Sequence, residues 1–274
     1  MWSLYSSLHA EPCYHYMGIK KVLLNVLGEK KYLSLLAGAF QRLYPTGRLG
    51  SNYQDVYFLK NIIEKGAWCA DIGAHLGYYT LELSRLAGPT GKVVAVEPMP
   101  KFNETLARLI RRKKATNIEL LQVALGGDSE YVEMGIPRVD NTKKFAYARV
   151  MKHSGHLEYI ESVKVKNESG DALFYKLPRL DFIKCDVEGL EVQVFASMKE
   201  TLTKHQPILL CELASKEERT AFFELVRPLG YATFHLLNGK LHPLDVHSDV
   251  TAISHNHYFI PAGHRQRLVA LITS

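Results

Sequence analysis

The sequence predicts a doubly wound α/β fold with a mostly parallel sheet. From residue 56 short apolar runs alternate with stretches of helical periodicity, and glycines punctuate the changes between them. Apolar runs at about 67–72, 92–97, 118–124, 181–186 and 207–213 read as strands covered on both faces. Helices are expected at about 53–65, 76–87, 101–114, 189–203 and 216–228, with Gly66, Gly88, Gly91 and Gly230 at their limits. The rhythm breaks at 128–180, where Tyr131-Val132-Glu133-Met134 and Ser162-Val163-Lys164-Val165-Lys166 alternate as in a β-rich insertion. Long connections at the carboxyl edge of such a sheet commonly line a ligand site, so substrate contacts are expected there. Beyond Gly230, residues 231–237, Asn238-Gly239 and 240–244 read as a hairpin with a tight primed turn, and a last strand is expected at 257–260. The chain divides into an N-terminal helical extension, 1–50, and one main domain, 51–274.

The 274 residues are 47% hydrophobic and 23% charged, a composition that fits one large core rather than two. Lys and Arg outnumber Asp and Glu by 34 to 28, which would attract an anionic substrate or surface but is too small an excess to imply nucleic acid. Much of it sits in Arg108, Arg111, Arg112, Lys113 and Lys114, where a helix C-terminus favours cations. Cys13, Cys69, Cys185 and Cys211 form no zinc pattern and read as reduced core thiols of a cytoplasmic protein. No secretory signal is evident, and the apolar stretch Tyr32 to Phe40 is too short to span a bilayer. Lys20, Lys21, Lys30 and Lys31 punctuate Val22, Leu23, Leu24, Leu33, Leu35 and Leu36 as an amphipathic helix pair would. Packing on the main domain or across a homodimer is favoured over peripheral membrane contact.

The chemistry concentrates at strand ends. Ala67-Trp68-Cys69-Ala70-Asp71-Ile72-Gly73-Ala74-His75-Leu76-Gly77 is an apolar strand ending in a carboxylate and running through a glycine turn into a helix. Gly73 and Gly77 let backbone pass close to a ligand at the position where nucleotide-like cofactors bind. The dinucleotide pattern G-x-G-x-x-G is absent, and Asp71 would repel a pyrophosphate. S-adenosylmethionine carries an ammonium and a sulfonium and no phosphate, so Asp71 can hold its amino acid end. The strand ending in Glu97-Pro98 follows 26 positions after Asp71, and an acid there can accept hydrogen bonds from both ribose hydroxyls. Asp186 and Glu212 end two further apolar runs and would face the same crevice, where two carboxylates are costly unless something uses them. Asp186 is the first choice for orienting or deprotonating an acceptor. Glu188 and Glu191 lie where a helix dipole favours negative charge, so Glu188 is weighed evenly between capping and catalysis. Asp186 and Glu212 could also hold Mg²⁺, the lesser reading. Of twelve histidines, His75 is the one general-base candidate placed by motif, and His153 and His156 fall in the insertion.

Through Asp71 to Thr80, Glu97-Pro98, Val123-Ala124-Leu125-Gly126 and especially Asp181-Phe182-Ile183-Lys184-Cys185-Asp186-Val187-Glu188-Gly189-Leu190-Glu191, the chain resembles the FkbM family of S-adenosylmethionine-dependent methyltransferases. The resemblance covers about 53–260 and implies a seven-stranded, Rossmann-like class I methyltransferase fold. It implies donor contacts from Asp71, Gly73, Gly77 and Glu97, and O-methylation of a hydroxyl, often on a sugar or polyketide. It places Gln122, Val123 and Ala124 beside the adenine. Tyr78 and Tyr79 read as packing residues at a helix start; His75, Tyr79, Pro98 and Asp186 are also expected to border the donor, with Thr80 a hydrogen-bond partner for it. A nicotinamide-dependent oxidoreductase and a catalytically inactive binding module are the two rivals.

Overall fold

Strands made of unbroken apolar runs need cover on both faces, and the computed structural model of the protein supplies it. The structure describes residues 23, 26–47, 50, 53–127, 129–139, 142–143, 149–150, 159–245 and 255–273. Cys13, Lys20, Lys21, Val22, Leu24, His153 and His156 lie outside the described residues.

With strands numbered along the chain, β1 (Trp68–Ile72), β2 (Lys92–Val96), β3 (Ile118–Leu121), β9 (Phe182–Cys185) and β10 (Ile208–Glu212) run parallel in the order β3-β2-β1-β9-β10. Beyond β10 the sheet closes antiparallel through β13 (Asn256–Pro261), β11 (Tyr231–Leu237) and β12 (Lys240–Pro243). The sheet has eight strands, all at positions the sequence pattern predicts, where the family resemblance implied seven; the hairpin arm β12 is the edge strand. The hairpin turns through Asn238 and Gly239, both at positive φ (51° and 73°), as a primed turn requires. The expected β-rich insertion is a second sheet: β4 (Ala124–Leu125), β5 (Tyr131–Val139), β6 (Thr142–Lys143), β7 (Arg149–Val150) and β8 (Tyr159–Glu168).

One face of the main sheet packs Phe182, Leu210 and Tyr258 against α2 (Gln54–Phe58) and α3 (Tyr78–Ala87), through Phe58, Leu59 and Leu83. The buried Asp55 joins this layer by accepting hydrogen bonds from Tyr258 Oη (2.9 Å) and Asn256 Nδ2 (3.0 Å), which ties α2 to β13. The other face packs Ile183, Cys185 and Phe259 against α5 (Gly170–Phe174), α6 (Glu191–Ala196), α7 (Lys199–His205) and α8 (Lys216–Val226). A third cluster joins α1 (Glu29–Leu43), through Tyr32, Leu33 and Ala37, to α4 (Pro100–Lys113) and to Met134, Ile136 and Val150 of the insertion. Lys101 of α4 reinforces it with ion pairs to Glu29 of α1 and Glu161 of β8, both at 2.5 Å. Cys69, Cys185 and Cys211 are free and buried, as expected of core thiols.

Two helices differ from the pattern. The helix expected at 189–203 is broken into α6 and α7, because Ser197 Oγ donates back to Val194 O (2.7 Å) and accepts from the Gly170 N–H (2.9 Å). The one expected at 53–65 is α helix only to Phe58 and tightens to a 3₁₀ turn over Leu59–Asn61. No helix among the described residues is long and apolar enough to cross a membrane.

Candidate functional site

The order β2-β1-β9 places the reversal of strand order beside β1, and the crevice outside the carboxyl ends of those strands is where ligands bind in such sheets. Leaving β1, the chain turns at Gly73 (φ 82°), where the Gly73 and Ala74 N–H groups both donate to Val96 O at 2.9 and 3.0 Å. A Cβ on Gly73 would lie 1.9 Å from Asp186 O, so the glycine is needed for the approach of β1 to the end of β9. Gly77 starts α3 in the left-handed region, and a Cβ there would meet Leu106 Cδ1 at 2.4 Å. Both glycines serve close packing of protein on protein, a different reason from the ligand approach that their spacing suggested.

Asp71 is 2% exposed and accepts a hydrogen bond from Thr80 Oγ1 at 2.5 Å. Burial pushes its carboxyl up to about 6, although the Thr80 hydroxyl and the Lys184 ammonium oppose the rise. Glu97, 4% exposed, accepts the His75 N–H at Oε2 (2.7 Å) and the Met99 N–H at Oε1 (2.8 Å). Burial raises it to about 7 against those two hydrogen bonds. Each of its oxygens retains a further lone pair for a ligand hydroxyl. His75 stands at φ 48°, and its ring packs on Phe102 with centroids 4.2 Å apart.

Beyond β9, Asp186 and Glu212 come together as expected. The residue that joins them was not anticipated: Lys184, 1% exposed, sits 3.4 Å from Asp186 Oδ2 and donates to Cys185 O at 3.2 Å. Its ammonium also lies 5.2 Å from the centre of the Tyr79 ring. Burial alone would push the ammonium toward deprotonation, but Asp186, Tyr79 and Glu212 outweigh it and raise Lys184 above its usual range. Burial likewise disfavours the Asp186 carboxylate, yet Lys184 and a hydrogen bond from Glu212 hold it below its ordinary value. Desolvation of the half-buried Glu212, and then the charge of Asp186, raise it to about 7. The sequence carried one signal for Lys184, a lysine inside the apolar run Phe182-Ile183-Lys184-Cys185, where long cations are almost never fully buried without a partner.

Glu188 and Glu191 do not both begin the next helix. Glu188 (φ 59°) and Gly189 (φ 94°) are successive left-handed residues that delay α6 to Glu191. Glu191 folds back to accept the Val187 N–H (2.8 Å) and the Gly189 N–H (3.1 Å), which accounts for it as a structural group. Glu188 is turned toward the crevice instead and lines it.

The crevice is a cavity of about 590 Å³. Asp71, Gly73, His75, Tyr79, Glu97, Pro98, Val123, Ala124, Asp186, Glu188 and Glu212 all border it. Gly77, Thr80 and Gln122 do not. Thr80 is fully buried and reaches the site only through its hydrogen bond to Asp71, while Gln122 is exposed because the chain turns its neighbours Val123 and Ala124 inward. Tyr32, Leu33 and Leu36 of α1 with Met134 and Val150 of the insertion close the apolar side. A second cavity of about 240 Å³ adjoins it, sharing Val150, Asp186, Glu188, Leu190 and Glu212, and adds Glu191 and Glu218. Among the described residues five carboxyl groups line the larger cavity against one Lys or Arg, Lys184, and the smaller is lined by no Lys or Arg. The protein is +6 overall, but the described lining of the crevice is acidic. Among the described residues no group of three or more His, Cys, Asp or Glu is placed to hold a metal ion, and the cation beside Asp186 is a lysine.

The family described as Methyltransferase FkbM domain matches residues 71–236. No curated protein matches the chain. Among solved structures the fold is similar to a SAM-dependent O-methyltransferase from Thermotoga maritima, at 12% identity over 80% of this chain and 69% of that one, with a TM-score of 0.45. It is similar to methyltransferase FkbM from Methylobacillus flagellatus KT at 17% identity and TM-score 0.48, over 88% of this chain but only 52% of that one. A third similarity, at 13% identity and TM-score 0.42 over 75% and 73% of the two chains, is to Aeropyrum pernix fibrillarin in complex with natively bound S-adenosyl-L-methionine.

Proposed function

Because the chain belongs to the FkbM family of S-adenosylmethionine-dependent methyltransferases, we propose that it is an O-methyltransferase acting on a hydroxyl of a sugar, glycoside or polyketide-like acceptor. The observation that carries the proposal is the charge balance of the described lining of the crevice: buried Asp71 and Glu97 and half-buried Asp186 and Glu212 stand against one ammonium, that of Lys184. Carboxyls raised by burial to about 6 and about 7 are what a cationic, hydroxyl-bearing ligand would draw into their charged form. That donor set fits S-adenosylmethionine, which supplies an electrophilic methyl group when bound.

Glu97 would take the ribose hydroxyls and Asp71 the amino acid end, with Val123 and Ala124 against the adenine. Thr80 acts behind Asp71, holding its carboxylate in place. The apolar wall from α1 and the insertion keeps water from the reacting centre. The acceptor would occupy the adjoining acidic cavity, where Glu188 and Glu212 offer hydrogen-bond acceptors to a polyhydroxylated molecule and repel an anionic one. Asp186, held ionised, is the group to orient the reacting hydroxyl and receive its proton. A nicotinamide cofactor could use Glu97 for its ribose equally well, but Asp71 would face its pyrophosphate and the third glycine of the dinucleotide pattern is absent.

Calorimetry with S-adenosylmethionine tests the donor assignment. Glu97→Gln is expected to weaken binding by about 10–100-fold, because the amide loses a ribose acceptor and sets a donor against one of two backbone N–H groups. Wild-type affinity in that variant and in Asp71→Asn would remove these residues from the donor site. Incubation of labelled donor with a panel of glycosides and phenols tests the acceptor class, and exclusive methylation of amines or thiols would overturn it.

A pH dependence follows with a definite sign. Asp71 and Glu97 titrate higher folded than unfolded, so the stability linked to them is complete below the unfolded values and is lost as the pH rises through about 6 and about 7. Each amounts to about 3 kcal/mol once fully ionised. The donor-free Tm is therefore expected to fall between about pH 4 and pH 7 and to recover when S-adenosylmethionine is added at the higher pH. A melt with the opposite slope in wild type relative to Asp71→Asn would contradict this.

A further inference from the structure

Lys184 is a buried charge in the wall of the crevice that neither the donor nor the acceptor assignment uses. It lies on the β9 residue paired with Asp71 on one side and Leu210 on the other, on a sheet face otherwise filled by Phe182, Leu210 and Tyr258. An ammonium there costs desolvation energy that an aliphatic side chain of the same length would not, and such replacements often stabilise. Its place is accounted for by the charges around it. Asp71 and His75 face the Lys184–Asp186 pair from β1 and its loop, Tyr79 from α3, Asp55 from α2, Glu212 and Cys211 from β10, and Glu191 from α6. Two carboxyl groups in contact share one proton, because both cannot ionise together at low cost. The ammonium breaks the symmetry of the Asp186–Glu212 pair, since its ion pair is with Asp186, at 3.4 Å.

We propose that Lys184 is a positioning residue for the methyl transfer proposed above, on which this inference rests: its ammonium makes Asp186 the charged member of the pair and leaves the shared proton on Glu212. The acceptor O–H bond then breaks with its proton passing to Asp186. The oxygen electron pair forms the new bond to the methyl carbon, and the pair of the broken carbon–sulfur bond stays on sulfur. Glu212, protonated, donates to Asp186 and keeps its orientation without competing for the acceptor's proton.

Carbonyl-carbon NMR of protein labelled at Asp and Glu carboxyls reads this directly, without an acceptor. In the wild type Asp186 keeps its ionised chemical shift to acid pH while Glu212 titrates near 7. Lys184→Met is expected to raise the Asp186 midpoint by about one pH unit or more, and Lys184→Arg to restore it. An Asp186 midpoint unmoved in Lys184→Met overturns the proposal. Should that variant not fold, Glu212→Gln decides: Asp186 still ionised beside the intact lysine supports it, and an Asp186 raised there shows that Glu212 sets the charge and overturns it. Calorimetry with S-adenosylmethionine on the wild-type sample separates the two levels. Absent donor binding removes the methyl-transfer proposal, whereas bound donor with an unmoved Asp186 removes only the role of Lys184.

Discussion

Asp186→Asn is expected to lower kcat by about 10²–10⁴-fold while changing donor affinity by less than about threefold. The asparagine keeps the shape and one carbonyl oxygen, so the loop after β9 can stay closed on Gly73, whose approach is to the Asp186 backbone rather than its side chain. What is lost is the capacity to receive a proton in the wall shared by both cavities. Glu212 cannot replace it without cost. In the native arrangement Glu212 is raised to about 7 by burial and by the neighbouring charge, and removing that charge lets it ionise more readily, but from β10 rather than from the loop that faces Gly73. Residual turnover in the variant should therefore gain an acid limb set by Glu212. Single-turnover transfer from labelled donor to an acceptor accepted by the wild type measures both effects, and a kcat within about threefold of wild type would show that Asp186 receives no proton.

The ends of the strands were legible in the sequence because parallel strands covered on both faces are unbroken apolar runs, so a carboxylate stopping such a run marks its tip. Asp71, Glu97, Asp186 and Glu212 were all found in this way, and the structure brings all four to one cavity. The hairpin at Asn238-Gly239 was legible for an equally local reason, the demand for positive φ at both residues. Lys184 was not, because its meaning depends on register: only when β9 lies between β1 and β10 does it stand beside Asp71. Asp55 was missed likewise, since its partners Asn256 and Tyr258 are some 200 residues away in the chain. The turn at Glu188 and Gly189 competes locally with a helical pattern that runs straight through it, so the start of α6 was placed too early. Gln122 shows the limit of assigning contacts from order along a strand, since a turn of one residue exchanges inward for outward.

Gly73→Ala is expected to cost more stability than any other single methyl added at the site, of the order of 3 kcal/mol or more, and to weaken donor binding with it. Two penalties combine. At φ 82° an alanine must hold a backbone conformation that its Cβ disfavours, and that Cβ would stand 1.9 Å from Asp186 O and 2.9 Å from Asp186 C. Neither obstacle is a side chain that can swing away. The Asp186 N–H donates to Ile72 O at 3.0 Å, and the Gly73 N–H donates to Val96 O at 2.9 Å, so retreat on either side breaks a ladder that joins β1 to β9 or to β2. Since Asp71, Glu97 and Asp186 are held by those same strand ends, the displacement would reach all three. Gly230→Ala supplies the control, having the same φ of 82° and nothing within 4 Å of the added Cβ, so it isolates the conformational penalty of about 1 kcal/mol. Chemical denaturation of the two variants in parallel should show a clearly larger loss for Gly73→Ala. Equal losses would mean that β9 yields freely at Asp186, and the crevice would then lack the rigid floor on which its carboxylates depend.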